Sequence, residues 1–211
     1  MCQLEAPGTV VARLTLCRSG SAMTEFALIL PVLLLVFAGV SEYAHAIDNW
    51  RKLTLLARTV SDLTAQGDTQ NPIGSGLMAD IFASSNAVLR PFDSSGVKIV
   101  VSAIGVDLTK LNLIPKVCSS TASANATARG LGAASDLTVP AGFQTTGVRY
   151  ILTEANMDYR PLLGSALVKL IGNANGTFSF KVSMPWPARG GKKYGANTYT
   201  EVVLPGGVEC K

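Results

Sequence analysis

Residues 26–40 run for fifteen positions without a polar side chain, and the residue just before them is the carboxylate Glu25. With its flanks from Ser21 to Ser41 the stretch reaches twenty-one residues, which as a helix rises roughly 31 Å, about one hydrocarbon core of a bilayer. A core helix of a water-soluble domain would carry a polar stripe, and this one has none. Pro31 would break a water-exposed helix, whereas a bilayer enforces backbone hydrogen bonding and tolerates it as a kink. The sequence therefore predicts a membrane helix or an export signal. Glu25 at its mouth is expensive: ionisable groups at or inside a bilayer segment cost on the order of a few kcal/mol, and a functional role is their default reading.

Where the exported part begins is open to two readings. Ala44-His45-Ala46 fits the small-x-small pattern of a signal peptidase site, and a cut there would release a soluble domain beginning at Ile47. Against it stand the forty-six-residue length and the position of Glu25 between the basic leader, with Arg13 and Arg18, and the apolar run. Ala46, Trp50, Leu53, Leu56, Val60 and Leu63 also recur at three- and four-residue steps. That spacing predicts one uninterrupted helix to about Gln66, where Gly67 can cap it.

The chain has 211 residues, of which 15% are charged, and a mean hydropathy of +0.32. Setting a tether aside leaves about 140 to 150 residues, enough for one small domain with its own core. The net charge of +4 is spread along the chain apart from the basic cluster at 189–193, so no nucleic-acid footprint is present and no nucleic-acid partner is expected. Cys2 and Cys17 precede the apolar segment, while Cys118 and Cys210 follow it in the part expected outside the cytoplasm. Two cysteines in an oxidising compartment pair as a rule. Such a bridge would close a loop of roughly 90 residues and stabilise the domain by about 4 kcal/mol on the chain-entropy argument. No Cys-x-x-Cys exists and His45 is the only histidine, which excludes a zinc knuckle. Cys17 lacks an apolar stretch before it and so does not fit a lipoprotein signal.

A short basic leader ending in Gly20, Glu25 as the fifth residue after it, then Phe26 and an apolar helix interrupted by Pro31 together resemble the prepilin signal of type IV pilins. In closer detail, Arg18-Ser-Gly-Ser-Ala-Met-Thr-Glu-Phe-Ala-Leu-Ile-Leu-Pro, continuing to Ser41-Glu-Tyr, is similar to the N-terminal signature of TadE-like proteins. These are minor pilins or pseudopilins of tight-adherence (Flp) pilus systems. The likeness is dense over residues 18–46 and only architectural beyond. It implies a membrane-embedded prepilin peptidase that cuts between Gly20 and Ser21, a site where glycine's lack of a side chain fits. It also implies that Glu25, about 6 Å along the helix from the new amine of Ser21, pairs with the terminal amine of a neighbouring subunit. Cleavage would remove both leader cysteines and leave the one pair, Cys118 and Cys210. The implied partners are the bilayer of the inner membrane, the prepilin peptidase, other pilus subunits and the Tad membrane assembly platform.

The remainder reads as a small α+β domain. Residues 77–89 have helical spacing and end before Pro91. Residues 97–108, rich in Val and Ile, predict a strand buried on both faces, and 116–139, dominated by small and polar residues, predict a long loop carrying Cys118. In 147–160, Ile151, Ala155, Met157 and Tyr159 alternate with Glu154, Asn156, Asp158 and Arg160. In 177–186, Phe178, Phe180, Val182, Met184 and Trp186 alternate with Ser179, Lys181 and Ser183. A short helix at 162–171 separates these strands, and a Gly-rich basic link at 189–195 leads to a last strand at 198–204. The organisation expected is a leader at 1–20, a transmembrane helix continuing as an amphipathic one over 21–66, and an extracytoplasmic antiparallel-sheet domain over 67–211.

Residues of catalytic type are not brought into a working pattern. Glu154 and Asp158 share a strand face about 13 Å apart, too far for a glycosidase pair, and read as a solvated face with calcium binding as the lesser alternative. His45 has no nucleophile-and-acid arrangement around it, and phosphate-loop, dinucleotide and zincin motifs are absent. These patterns predict no enzyme, cofactor or metal, and the resemblance implies a pilus-assembly component, the alternative being an exported binding or adhesion domain released after Ala46.

Overall fold

A computed structural model describes residues 19–67, 72–106, 114–161, 169, 176–193 and 199–210, with side chains from residue 22 onward. It divides into two units, Met1–His45 and Ala46–Lys211. In the first, the described residues belong to helix α1 (Ser19–Gln66), which continues through Pro31. Its side chains here face outward: Leu28 is 76% exposed and Phe37 74%. None of the described residues covers this apolar stretch, and an exposed apolar surface of this extent marks a site for a membrane or a protein partner.

In the second unit the chemistry of α1 changes. Leu53, Leu56, Ala57 and Val60 are fully buried and Asn49, Ser61 and Thr64 nearly so, while Trp50, Leu55 and Leu63 lie exposed. The buried stripe is therefore turned slightly from the one expected, since Trp50 and Leu63 are outside it. Gly67 ends the helix as expected, at φ 59, with its N–H bonded to the Thr64 carbonyl at 3.1 Å. The Ala65 carbonyl accepts N–H bonds from both Arg189 and Gly190 at 2.9 Å. Gly190 fits there because a Cβ would overlap the carbonyl of Gln66.

The buried stripe packs on a sheet. Strands β1 (Lys98–Val106), β2 (Pro115–Ala122), β3 (Gly132–Ala133), β4 (Arg149–Tyr159) and β5 (Phe178–Pro187) form an antiparallel sheet in the order β3-β2-β1-β4-β5. In β1 and β4 the pairs Ile99 with Ala155, Val101 with Thr153 and Ala103 with Ile151 share the helix-facing side. They join Leu53, Leu56, Ala57 and Val60 in one core. Helix α2 (Ser75–Ala83) adds Met78 and Ile81, helix α3 (Ser85–Val88) sets Val88 against them, and Val202 and Leu204 also belong to this core. The single helix expected at 77–89 is thus two, divided at Ser84.

On the opposite side, Ile104, Val106, Val117, Tyr150 and Leu152 meet Ala134 and Val139 in a smaller cluster, with Leu137 and Phe143 against it. Phe143 belongs to a 3-10 turn (Ala141–Phe143); its ring stacks on Tyr150 at 4.6 Å, and burial pushes the Tyr150 hydroxyl up to about 12. The loop expected at 116–139 is corrected here. Its first part is β2, paired to β1 and bearing Cys118, because hydrogen bonds to a buried strand outweigh weak local β propensity. Of the strand expected at 198–204, the described residues 199–204 are strand only at β7 (Thr200–Glu201), which pairs with β6 (Lys192–Lys193). The helix expected at 162–171 falls outside the described residues except for Lys169.

Neighbouring leucines on α1 test this packing. Leu56→Ala is expected to cost about 2 to 5 kcal/mol, the range for truncating a buried leucine, while Leu55→Ala, at a residue 54% exposed, should cost about 0.5 kcal/mol or less. Denaturant unfolding of the full chain in detergent, followed by near-UV circular dichroism, checks the difference.

Candidate functional site

Helix α1 places the residues expected to act in processing and assembly on one continuous backbone. Gly20 and Ser21 follow its first residue, Ser19, and Glu25 and Phe26 come one turn later. Glu25 is exposed and followed by Phe26, itself 59% exposed, with Met23, Leu28 and Ile29 open around it. The carboxylate therefore sits on an apolar helix surface, where desolvation would strengthen its attraction to a cation.

The other pair expected from sequence is brought together in the second unit. Cys118 and Cys210, 92 residues apart, form a disulfide with their Cα atoms 4.8 Å apart. The β1–β2 register shifts at this point, Ala103 facing Ser119 and Ile104 facing Val117, so Cys118 is the extra residue of a bulge. A bulge re-aims a side chain, and here it sits beside the one that reaches the C-terminal tail. The tail is fixed at a second point, where the Leu204 N–H donates to Ser119 Oγ at 3.0 Å.

Around the bridge lie two ionisable residues that the sequence reading did not single out. Glu201 Oε1 accepts the Cys210 N–H at 2.7 Å, and Glu201 Oε2 lies 3.8 Å from Arg149 Nε, with both side chains buried. Burial pushes the Glu201 carboxyl up, and the Cys210 amide and the Arg149 guanidinium draw it back down. The available signal was a lone acid entering the apolar run Val202-Val203-Leu204. Gly105 closes the cluster, since a Cβ there would come within 2.8 Å of Cys210 Sγ and 3.1 Å of the Arg149 guanidinium.

The face of the sheet away from α1 carries a polar groove of about 510 Å³ among Lys98, Asn125, Arg129, Glu154, Asn156 and Lys181. Arg129 grips Glu154 through two nitrogens, the Nη2 bond being 2.7 Å, and donates from Nη1 to Asp136 at 2.7 Å. Its hydrogen bond holds the Asp136 carboxyl below the usual range. Glu154, 31% exposed on a face where Asp158 and Arg160 are open to solvent, is tied by this grip to the segment that carries Arg129.

The raised Glu201 has a signed consequence. A carboxyl whose folded-state pKa lies above its unfolded value keeps its proton longer in the fold, so stability falls as pH rises through the window between the two values. Glu201→Gln removes that loss. The variant's melting temperature is expected to gain on the unsubstituted chain as pH rises above the ordinary glutamate range; thermal melts over a pH series, with the disulfide intact, check the trend, and a constant gap would refute it.

Comparison with known proteins bears on α1. Residues 20–62 match the family described as TadE-like protein. No curated protein and no solved structure matches the chain. The match begins at Gly20, takes in Glu25 and the exposed apolar stretch, and continues into the half of α1 that packs on the sheet. Over residues 20–62, about a fifth of its length, this chain is similar to the TadE-like family.

Proposed function

We propose that the protein is a minor pilin or pseudopilin-like component that helps assemble a Tad (Flp) pilus from the inner membrane. The observation that carries this reading is the coincidence of the TadE-like match with a helix whose apolar side chains are exposed and whose mouth holds Glu25. The only candidate span among the described residues is α1, with a mean hydropathy of 2.3 over its most apolar window. Prepilin peptidase cuts between Gly20 and Ser21 and leaves Ser21 as the new terminus. Glu25 pairs with the terminal amine of an adjacent pilus subunit, both groups desolvated in lipid. Residues 67–211 stand on the outer side, where oxidation closes Cys118 to Cys210. The role is structural, in contact with other subunits and the Tad membrane platform, and involves no catalysis or cofactor.

The alternative, release after Ala46, gains one observation: the division between the two units falls after His45. The continuous helix and a family match that crosses residue 46 favour the anchored form.

The assembly role is tested by Glu25→Ala in a deletion strain complemented with the variant. Cleavage and membrane insertion are expected to proceed normally while surface piliation drops strongly. Unchanged piliation would refute the role assigned to Glu25.

A further inference from the structure

We infer that, when the disulfide is open, Cys118, Cys210 and Glu201 form a binding site for a thiophilic divalent cation of the zinc type. One ligand atom from each of the three lies within 4.8 Å of the others, and all three residues are buried. They come from β2, β7 and the C-terminal tail, so the fold assembles them and no local spacing motif announces them. Two thiolates and a carboxylate are all ligand types that zinc accepts, with a fourth position left for a small solvent ligand.

The carboxylate is already held for this task. Glu201 Oε1 is fixed by the Cys210 amide at 2.7 Å, whereas Oε2 is buried and accepts no hydrogen bond. A buried carboxylate oxygen with no hydrogen-bond donor, held only by a long ion pair, is costly, and a cation would supply the missing ligand bond. Arg149 Nε, at 3.8 Å, lies outside hydrogen-bond range of that oxygen.

Charge also closes. A divalent cation with two thiolates and one carboxylate leaves a net charge of −1, and the buried Arg149 guanidinium beside them brings the cluster to zero. Neutrality matters in a site this far from water, where an unbalanced charge is strongly disfavoured. Gly105 leaves room on the sulfur side, its missing Cβ being the atom that would crowd Cys210 Sγ and Arg149.

The chemistry balances. A phosphine reductant breaks the S–S bond, takes oxygen from water to become the phosphine oxide, and leaves both sulfurs as thiols. Cation binding then releases the two thiol protons to solvent as the metal–sulfur bonds form. A small-molecule disulfide oxidant reverses this by exchange: it takes up the two electrons and two protons, leaves as two thiols, re-forms the Cys118–Cys210 bond and expels the ion. Disulfide and metal are thus alternative clasps between β2 and the tail.

The test uses the full chain in detergent with Cys2→Ser and Cys17→Ser, so that Cys118 and Cys210 are its only thiols. After phosphine reduction, cobalt titration is expected to give one ion per chain with the near-ultraviolet charge-transfer absorbance of thiolate ligation, and zinc should displace it. The oxidised chain should bind none, and Glu201→Gln should weaken binding by about tenfold or more. Zinc should also raise the melting temperature of the reduced chain, or restore a melting transition if reduction abolishes it. A reduced chain that zinc does not stabilise and that takes up no cobalt would overturn the proposal. So would uptake that Glu201→Gln leaves unchanged, because the third ligand would then be absent.

Discussion

The packing of residues 46–66 of α1 against one face of the β1–β4 sheet is the interaction on which the second unit depends. Leu53, Leu56, Ala57 and Val60 are each buried completely, in one core with Ile99, Val101 and Ile151. The end of the helix is held by the chain that leaves β5. Trp186 Nε1 donates to Asp62 at 3.1 Å, Arg189 pairs with the same carboxylate, and the Arg189 and Gly190 amides cap Ala65. A carbonyl that would otherwise be orphaned at the helix C-terminus is therefore satisfied by the domain itself. The same helix over residues 26–40 carries exposed apolar side chains, Leu28, Leu35 and Phe37 among them. One secondary-structure element thus changes character along its length, from exposed apolar side chains to a stripe buried on the sheet.

The C-terminal tail is the second support. Val202, Val203 and Leu204 are buried although they form no strand. Three contacts keep them there: the Ile73 N–H to the Val203 carbonyl at 2.9 Å, the Leu204 N–H to Ser119, and the Cys118–Cys210 bridge. Glu201 and Arg149 lie under that bridge as a buried ionic pair, which is weak support for stability in itself. Their position beside two sulfurs gives the pair a chemical reading that stability alone does not.

Much of this was legible in the sequence, for reasons that differ by element. The fifteen-residue apolar run and the steps through Leu53, Leu56 and Val60 give α1 its length and its domain-facing half. Trp50 and Leu63 were misplaced because three- and four-residue steps fit two adjacent stripes, and the true one contains polar Asn49 and Thr64, which a hydrophobic pattern passes over. The Val- and Ile-rich β1 and the alternating β4 and β5 announce themselves by period. Strand β2 does not: Ser119, Ser120 and Thr121 read as loop, and only the pairing with β1, including the 2.9 Å contact of the Ser102 and Ser120 hydroxyls, makes them sheet. The cysteine pair was legible from compartment and count. The Glu201–Arg149 cluster was not, because its members are far apart in sequence and meet only through the register of β1 with β4 and the return of the tail.

The membrane half of the account rests on which bond is cut, so the most direct measurement is the N-terminus of the protein recovered from native membranes, read by intact mass before and after reduction. The expected species begins at Ser21 and gains the pair of hydrogens that opening the Cys118–Cys210 bridge adds. A soluble species beginning at Ile47 would overturn the pilin reading and make this an exported domain, and an unprocessed Met1 terminus would remove the basis for regarding it as a prepilin peptidase substrate.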